Sequence, residues 1–190
     1  MKKLTILTVI VFATVMSAFA QDKESEKPSK FGIRAGYHSA FMVIDGAGLA
    51  GTEPLNTFYL GVFKEYKLIP MLYAGGGLEY FQNGFQSTII DLKRKLHYVS
   101  VPLYLKVKLG PVYATGGTAL NFKVAEKNIL AGASADPIGE KSNVFDLPLQ
   151  AGIGVKILMF SIEARYNWGM LDINNGVKNQ YFQLGAAVFF

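Results

Sequence analysis

The stretch Tyr98-Val99-Ser100-Val101-Pro102-Leu103-Tyr104-Leu105-Lys106-Val107-Lys108-Leu109 decides how this chain is read. Val99, Val101, Leu103, Leu105, Val107 and Leu109 take every second position, and Tyr98, Ser100, Pro102, Tyr104, Lys106 and Lys108 fill the places between. A β-strand turns successive side chains to opposite faces. The stretch therefore predicts a strand with one unbroken aliphatic side and one polar side. Two lysines opposite such a row suit a wall between lipid and a polar lumen.

The same alternation recurs along the chain. Phe145, Leu147, Leu149, Ala151, Ile153, Val155 and Ile157 alternate with Asp146, Pro148, Gln150, Gly152, Gly154 and Lys156. Phe160, Ile162, Ala164, Tyr166 and Trp168 alternate with Ser161, Glu163, Arg165 and Asn167. The phase is continuous if Leu158-Met159 forms a two-residue hairpin turn, which sets Ile157 opposite Phe160. Phe182, Leu184, Ala186, Val188 and Phe190 share an outward face against Gln183, Gly185 and Ala187, and Val112 to Val124 turns Tyr113, Thr115, Asn121 and Lys123 inward. Three weaker strands precede these, over Phe31 to Ser39, Thr57 to Lys67 and Leu72 to Gln82. They turn Arg34, His38 and Glu79 inward. Lys64 falls on the lipid side near a strand end, where a lysine can snorkel to the interface.

These segments make eight strands. The links alternate between long (about 40–56, 83–95, 125–144 and 169–179) and short (about 68–71, 109–111 and 158–159), as expected for long extracellular loops and short periplasmic turns. The expected fold class is all-β: a transmembrane, up-and-down antiparallel β-barrel of about eight strands. Pro102 and Pro148 sit inside strands of a wall with no free edge; a bulge at each would reconcile them, but the sequence shows none.

The N-terminus sets the expected compartment. Lys2 and Lys3 precede an apolar run from Leu4 to Val15, and Ala18-Phe19-Ala20 supplies a small-x-small cleavage pattern. A retained anchor is the alternative, but the run falls short of the roughly 20 residues a spanning helix needs. Residues 1–20 are read as a signal peptide, 21–30 as a flexible periplasmic leader and 31–190 as the barrel, placed in the cell outer membrane. The chain has no cysteine, which excludes a lipid-anchored cysteine and a disulfide scaffold. Its formal charge of +5 falls to about +3 without Lys2 and Lys3, too mild a balance to imply nucleic acid.

The inward charges form the candidate site. Arg34, Glu79, Lys106, Lys108, Lys123, Lys156, Glu163 and Arg165, with Glu65 as a further acid, are read as a lumen network. An eight-stranded barrel is just wide enough for its side chains to fill it. Opposite charges there predict a hydrogen-bonded plug. The excess of bases leaves a narrow anion-selective pore as the alternative. Aromatic residues are expected in two interfacial girdles: Phe31, Tyr66, Phe160 and Phe190 near the periplasmic rim, and Tyr37, Phe58, Tyr80, Phe122 and Trp168 near the outer rim. The plain propensity of aromatics for strands would also place them in the wall.

No phosphate-binding loop, zinc-protease signature or metal-ligand cluster occurs, and no cofactor or metal is expected. The glycine run Ala74-Gly75-Gly76-Gly77-Leu78-Glu79 lies within a strand, where it favours close packing over phosphate binding. His38 and His97, with Ser39, Ser100 and Asp91, supply the residue types for a lipid A-modifying hydrolase, but nothing in their spacing sets the geometry a triad needs. Rim histidines are the simpler reading. The long segments from Tyr37 to Asn56 and Lys123 to Asn143 serve either as binding loops or as solvated connectors.

The stretches Y-V-S-V-P-L-Y-L-K-V-K-L-G-P-V-Y-A-T-G-G (98–117), S-I-E-A-R-Y-N-W-G (161–169) and F-Q-L-G-A-A-V-F-F (182–190) resemble the outer-membrane beta-barrel domain family common in Bacteroidetes. Some of its members are related to the PorT-type secretion protein. The resemblance spans roughly residues 30–190, with the second half the specific part. It implies location and fold more than activity, and no catalytic residue carries over. The terminal Phe190 also resembles the signal read by the barrel-assembly machinery. The expected protein is a monomeric, non-enzymatic barrel, structural or interacting through its outer loops, or an accessory to envelope assembly or secretion. Its expected partners are outer-membrane lipid, lipopolysaccharide and the assembly machinery. A porin-like channel is the runner-up.

Overall fold

In the computed structural model the described residues are 29–44, 47–48, 51–87, 92–130, 133–135, 143–174 and 176–190. The proposed signal peptide and residues 21–28 of the leader lie outside them. Eight long strands form one antiparallel ring: β1 (Ser29–Ile44), β2 (Thr52–Ile69), β3 (Leu72–Ser87), β4 (Leu92–Leu109), β5 (Val112–Leu130), β6 (Pro148–Ile157), β7 (Phe160–Asn174) and β8 (Val177–Phe189). Each pairs with its sequence neighbours. The ring closes where β1 meets β8 in unbroken register from Gly32↔Phe189 to Ile44↔Val177. Closure leaves no strand edge with unpaired N–H and C=O groups, the condition for placing a sheet in hydrocarbon.

The wall has two chemically distinct faces. Ile33, Val62, Leu103, Leu105, Val107, Ile153, Val155 and Ile162 face outward and are exposed. A continuous apolar belt of this kind would be an aggregation surface in water, and it fits lipid. Inward positions are buried and mostly polar or aromatic. The period-two pattern of residues 98–109 holds: Tyr98, Ser100, Pro102, Tyr104 and Lys106 are buried, while Leu103, Leu105, Val107 and Leu109 are exposed.

The short turns fall at 70–71, 110–111 and 158–159, the last setting Ile157 opposite Phe160. Each contains a left-handed residue: Met71 (φ 73°), Gly110 (φ 64°) and Leu158 (φ 55°). A two-residue link reverses a twisted strand pair only with φ > 0 somewhere in it, which glycine supplies freely and Met or Leu at a cost.

Three expectations need correction. First, the long links are mostly strand. β1 runs on to Ile44 and β2 starts at Thr52, β3 reaches Ser87 before β4 begins at Leu92, and only residues 175–176 separate β7 from β8. Outside the lipid belt a strand no longer needs apolar outward residues, so the alternation fades while the backbone ladder continues. β1 likewise begins at Ser29, two residues earlier than expected. Second, neither proline makes a bulge. The β3–β4 ladder goes from Gly76↔Leu103 to Glu79↔Ser100 in constant register, skipping the two pairs at Pro102 and Val101. On the β5 side of Pro148 the ladder likewise goes from Thr118↔Leu149 to Asn121↔Asp146. At the Pro148 gap side chains cover freed groups: Thr118 Oγ1 donates to the Pro148 carbonyl at 2.8 Å, and Gln150 Nε2 to the Thr118 carbonyl at 3.2 Å. Third, a bulge does occur in β5, where His97↔Ala125 is followed by Tyr98↔Lys123, leaving Val124 unpaired.

Large lumen aromatics sit opposite glycines. Tyr104 pairs with Gly75 and Gly117, Tyr113 with Gly154, and Phe63 with Gly32 and Gly77. A Cβ on Gly75 would lie 2.3 Å from the Tyr104 ring. The glycine run 75–77 is thus the space into which Tyr104 and Phe63 fold. Gly75→Val should overpack the lumen by about 1–3 kcal/mol, lowering the temperature at which the folded barrel converts to its slow-migrating form on an SDS gel. Gly116→Ala, at a wall position with open space beside it, should leave that temperature unchanged.

Candidate functional site

The inward charges form three clusters stacked along the lumen rather than one continuous network. At the end of the barrel that carries the short turns, Lys106 on β4 contacts the Glu65 carboxylate on β2, and Tyr104 donates to the same oxygen at 3.1 Å. Lys106 Nζ also lies 4.1 Å from the centre of the Tyr113 ring, and Lys156 Nζ lies 2.8 Å from that of Phe189. Lys108 is half-buried one step nearer the turn.

The middle cluster crosses the barrel. Glu79 on β3 takes Arg34 Nε of β1 at 2.6 Å and Arg165 Nη2 of β7 at 2.8 Å. Glu163 stands 3.1 Å from Arg165 Nε and 3.8 Å from Arg34 Nη1. Two acids face two guanidinium groups, and three of the four are almost fully buried. The Nε contacts are ion pairs by distance, but their N–H bonds are not aligned with the carboxylates. The Arg165 Nη2 bond to Glu79 is the aligned one. Glu163 and Arg165 share a face because they are two apart on one strand. Arg34 and Glu79 reach them only through closure of the ring.

The upper cluster brings Lys123 to Glu126 (2.6 Å) and Glu126 to Arg94 (2.6 Å). The alternation does not pick out Arg94 or Glu126 as lumen residues. Arg94 falls in the polar stretch 83–95 expected to be a loop, and uninterrupted alternation in β5 would turn Glu126 outward. The bulge at Val124 reverses that parity.

Between the middle and upper clusters lies a layer of rings and amides. His38 is fully buried, stacked against Phe81 (4.8 Å) and Tyr181 (4.9 Å) and hydrogen-bonded to Asn83 Oδ1 at 2.8 Å. Asn121 donates to the Tyr181 hydroxyl, and Asn179 to the Tyr98 hydroxyl and to Asp146. Beside Arg34, Glu65 and Glu163 there remains a cavity of about 10 Å³, space for about one water.

Among the described residues, the side chains that could supply a hydrolase do not come together. His38 points into the lumen, not at a rim, because β1 extends six residues past it. Its neighbour Ser39 faces the other way and donates to Asn56 at 2.8 Å. His97 faces outward, bonded through Nδ1 to the Tyr80 hydroxyl at 2.6 Å, whereas Ser100 is buried in the lumen. Asp91 lies outside the described residues. Among the described residues no group of three or more His, Cys, Asp and Glu side chains is placed to hold a metal ion.

On the outer face, Phe31, Tyr37, Phe58, Phe160, Trp168 and Phe190 are exposed, while Tyr66, Tyr80 and Phe122 are half-buried. Phe31 and Phe190 meet at 6.4 Å at the lower end, and Lys64 Nζ lies 4.9 Å from the centre of the Tyr66 ring. At the upper end each phenol points to a polar group further up the wall: Tyr37 to Asn56 (2.6 Å), Tyr80 to His97 and Tyr166 to Gln180 (2.6 Å). Apolar rings with hydroxyls turned toward water match the edge of a bilayer. From Phe160 to Trp168 is about 26 Å along the strand, or about 20 Å of height at a usual barrel tilt, close to the ~25 Å apolar band of such walls.

A closed eight-stranded ring with a lipid-facing belt and a polar, filled interior is the architecture of small outer-membrane barrels, and the sequence matches the model of one such family over residues 19–175. The chain belongs to the outer membrane protein beta-barrel domain family. It is an outer-membrane protein. Among solved structures it is similar to Ail, the attachment invasion locus protein of Yersinia pestis, with 20% identity and a TM-score of 0.52 over 85% of this chain and 99% of that one. Ail in complex with the heparin analogue sucrose octasulfate matches at a TM-score of 0.53, with the same identity and coverage. Neisserial surface protein A shares 16% identity and a TM-score of 0.52 over 84% of this chain and 97% of that one. At these identities the likeness is one of fold. No curated protein matches the chain by sequence.

The middle cluster makes a direct prediction. Glu79→Gln strands two buried guanidinium groups and should cost about 3–5 kcal/mol in reversible urea unfolding from lipid vesicles. Glu163→Gln should cost less, because Glu163 is more exposed and holds Arg34 at a longer distance.

Proposed function

We propose that this outer-membrane barrel acts through its extracellular rim, as a structural or interaction protein, and that its lumen is a support. The filled interior carries this reading. Three charge clusters and a layer of stacked rings close the lumen at successive heights, with room for about one water in the cavity beside Arg34. A side chain-filled eight-stranded barrel passes nothing through its centre. What remains for function is the wall above the outer aromatics, where the strands run on beyond the lipid belt. Loops and strand ends on a rigid scaffold are where binding groups are usually displayed.

The finer parts of the proposal are that the chain works as a monomer without enzymatic chemistry, that its last strand with Phe190 engages the barrel-assembly machinery, and that it faces lipopolysaccharide at its rim. A PorT-like accessory role in secretion or envelope assembly, in a Bacteroidetes-type lineage, is the specific form of the interaction reading. The girdle aromatics anchor the wall at the two interfaces, and the lumen charges serve stability.

Planar bilayers holding the purified barrel should stay electrically silent at moderate voltage. Discrete, reproducible steps that change with Glu79→Gln or Arg165→Gln would replace the proposal with the channel reading. Lipid A from expressing cells should be chemically unchanged. If it is altered, and His38→Ala or His97→Ala abolishes the change, the protein is an enzyme.

A further inference from the structure

Above the outer aromatics on β4 and β5, the lipid-side face changes character. Tyr80, Val99, Phe122 and Phe145 lie in register as one row across four neighbouring segments of the wall, with the Phe122 and Phe145 rings 5.4 Å apart. The next outward row is Gln82, His97 and Ala125, then Gly84, Lys95 and Lys127, then Gln86, Lys93 and Ile129. Lys95 and Lys127 are direct cross-strand partners, and Lys93 lies two residues further along the same face as Lys95. Like charges at opposed positions destabilise a sheet.

This repulsion is not relieved within the described wall. Among the described residues, no carboxylate pairs with Lys93, Lys95 or Lys127. The neighbouring Glu126 faces the lumen, where it holds Arg94 and Lys123. On the β7–β8 side of the rim, by contrast, Lys178 has Asp172 at 4.0 Å. Beside Lys95 the wall carries Gly84, which brings no side chain of its own to that position. Four residues of strand separate Lys95 from the aromatic row, about 13 Å along the chain and about 10 Å in height after tilt. A lysine stem extended downward spans most of that gap.

We propose that Lys93, Lys95 and Lys127 form a lipid-facing site for the phosphate groups of an outer-leaflet lipid headgroup, with His97 and Gln82 as its lower border. Height selects the occupant: a group beside this face, just above the apolar belt, belongs to the headgroup layer. A phosphate between Lys95 and Lys127 turns a repulsive pair into two charge-assisted contacts. The inference rests on the outer-membrane placement and is independent of whether the lumen conducts.

The test uses the purified full barrel in three kinds of nanodisc: phosphatidylcholine alone, phosphatidylcholine with bisphosphorylated lipid A, and phosphatidylcholine with dephosphorylated lipid A. Lipid retained per barrel is read by native mass spectrometry after transfer to detergent, alongside the temperature of the gel-mobility shift. Bisphosphorylated lipid A should be retained over the dephosphorylated form, falling about fivefold for each lysine replaced in the series K95Q, K95Q/K127Q and K93Q/K95Q/K127Q. K178Q should behave as wild type. In neutral nanodiscs the triple variant should melt no lower than wild type, since only repulsion is removed, whereas lipid A should raise the wild-type temperature and not the variant's. Equal retention of the two lipids, or undiminished retention by the triple variant, would overturn the site. If sucrose octasulfate binds the wild type in neutral nanodiscs through these lysines while lipid A retention shows no phosphate dependence, the lipid assignment fails in favour of a soluble polyanion.

Discussion

Everything in this molecule follows from the rule that a backbone in hydrocarbon must satisfy its own hydrogen bonds. Eight strands meet that rule by joining β1 to β8. Closure then imposes a second condition. The lumen of so narrow a ring is a core that must be packed, and half of every strand's residues point into it. The chain meets this condition with polar groups rather than aliphatic ones. Each buried charge therefore needs a counter-charge or a ring beside it, as Glu79 has in Arg34 and Arg165, and Lys106 has in Glu65 and Tyr113.

How much of this was legible follows from where alternation carries information. Residues 98–109 and 148–168 lie within the lipid belt, where outward positions must be apolar, and there strand, facing and turn are read directly from the pattern. Above the belt both faces can be polar, so the ends of β1, β3, β5 and β7 looked like loops. The lumen set was legible as a list, because parity alone turns Arg34, Glu79, Glu163 and Arg165 inward. Its partition into clusters was not, because partners such as Arg165 and Glu79 are 86 residues apart and meet only through the ring's register. One inserted residue at Val124 was enough to hide Glu126. The place of His38 among Phe81, Tyr181 and Asn83 depends on three strands at once, and no local pattern carries it.

The aromatic–glycine pairs show packing rules acting on composition. A ring as large as Tyr104 cannot share a narrow lumen with a full complement of side chains, so its cross-strand neighbours Gly75 and Gly117 carry none. The abundance of glycine in this chain is thus partly the complement of its abundance of tyrosine and phenylalanine.

The prolines give the wall an uneven strength. Pro102 and Ala119 are paired in register, and Pro148 occupies the matching position on the far side of Ala119. The two skipped stretches therefore flank one hairpin, β4–β5, at a common level, one between β3 and β4 and the other between β5 and β6. Within that hairpin the ladder runs from Leu92↔Leu130 to Leu109↔Val112, interrupted only by the bulge at Val124. The junction of first and last strand has thirteen consecutive pairs without a gap. The β2–β3 and β7–β8 ladders also lose pairs, but toward the outer rim, between Pro54↔Phe85 and Tyr59↔Phe81 and beyond Trp168↔Gln180. The central hairpin is thus joined to its neighbours by interrupted ladders on both sides, while the terminal seam is unbroken, and above the lipid belt that hairpin carries Lys93, Lys95 and Lys127.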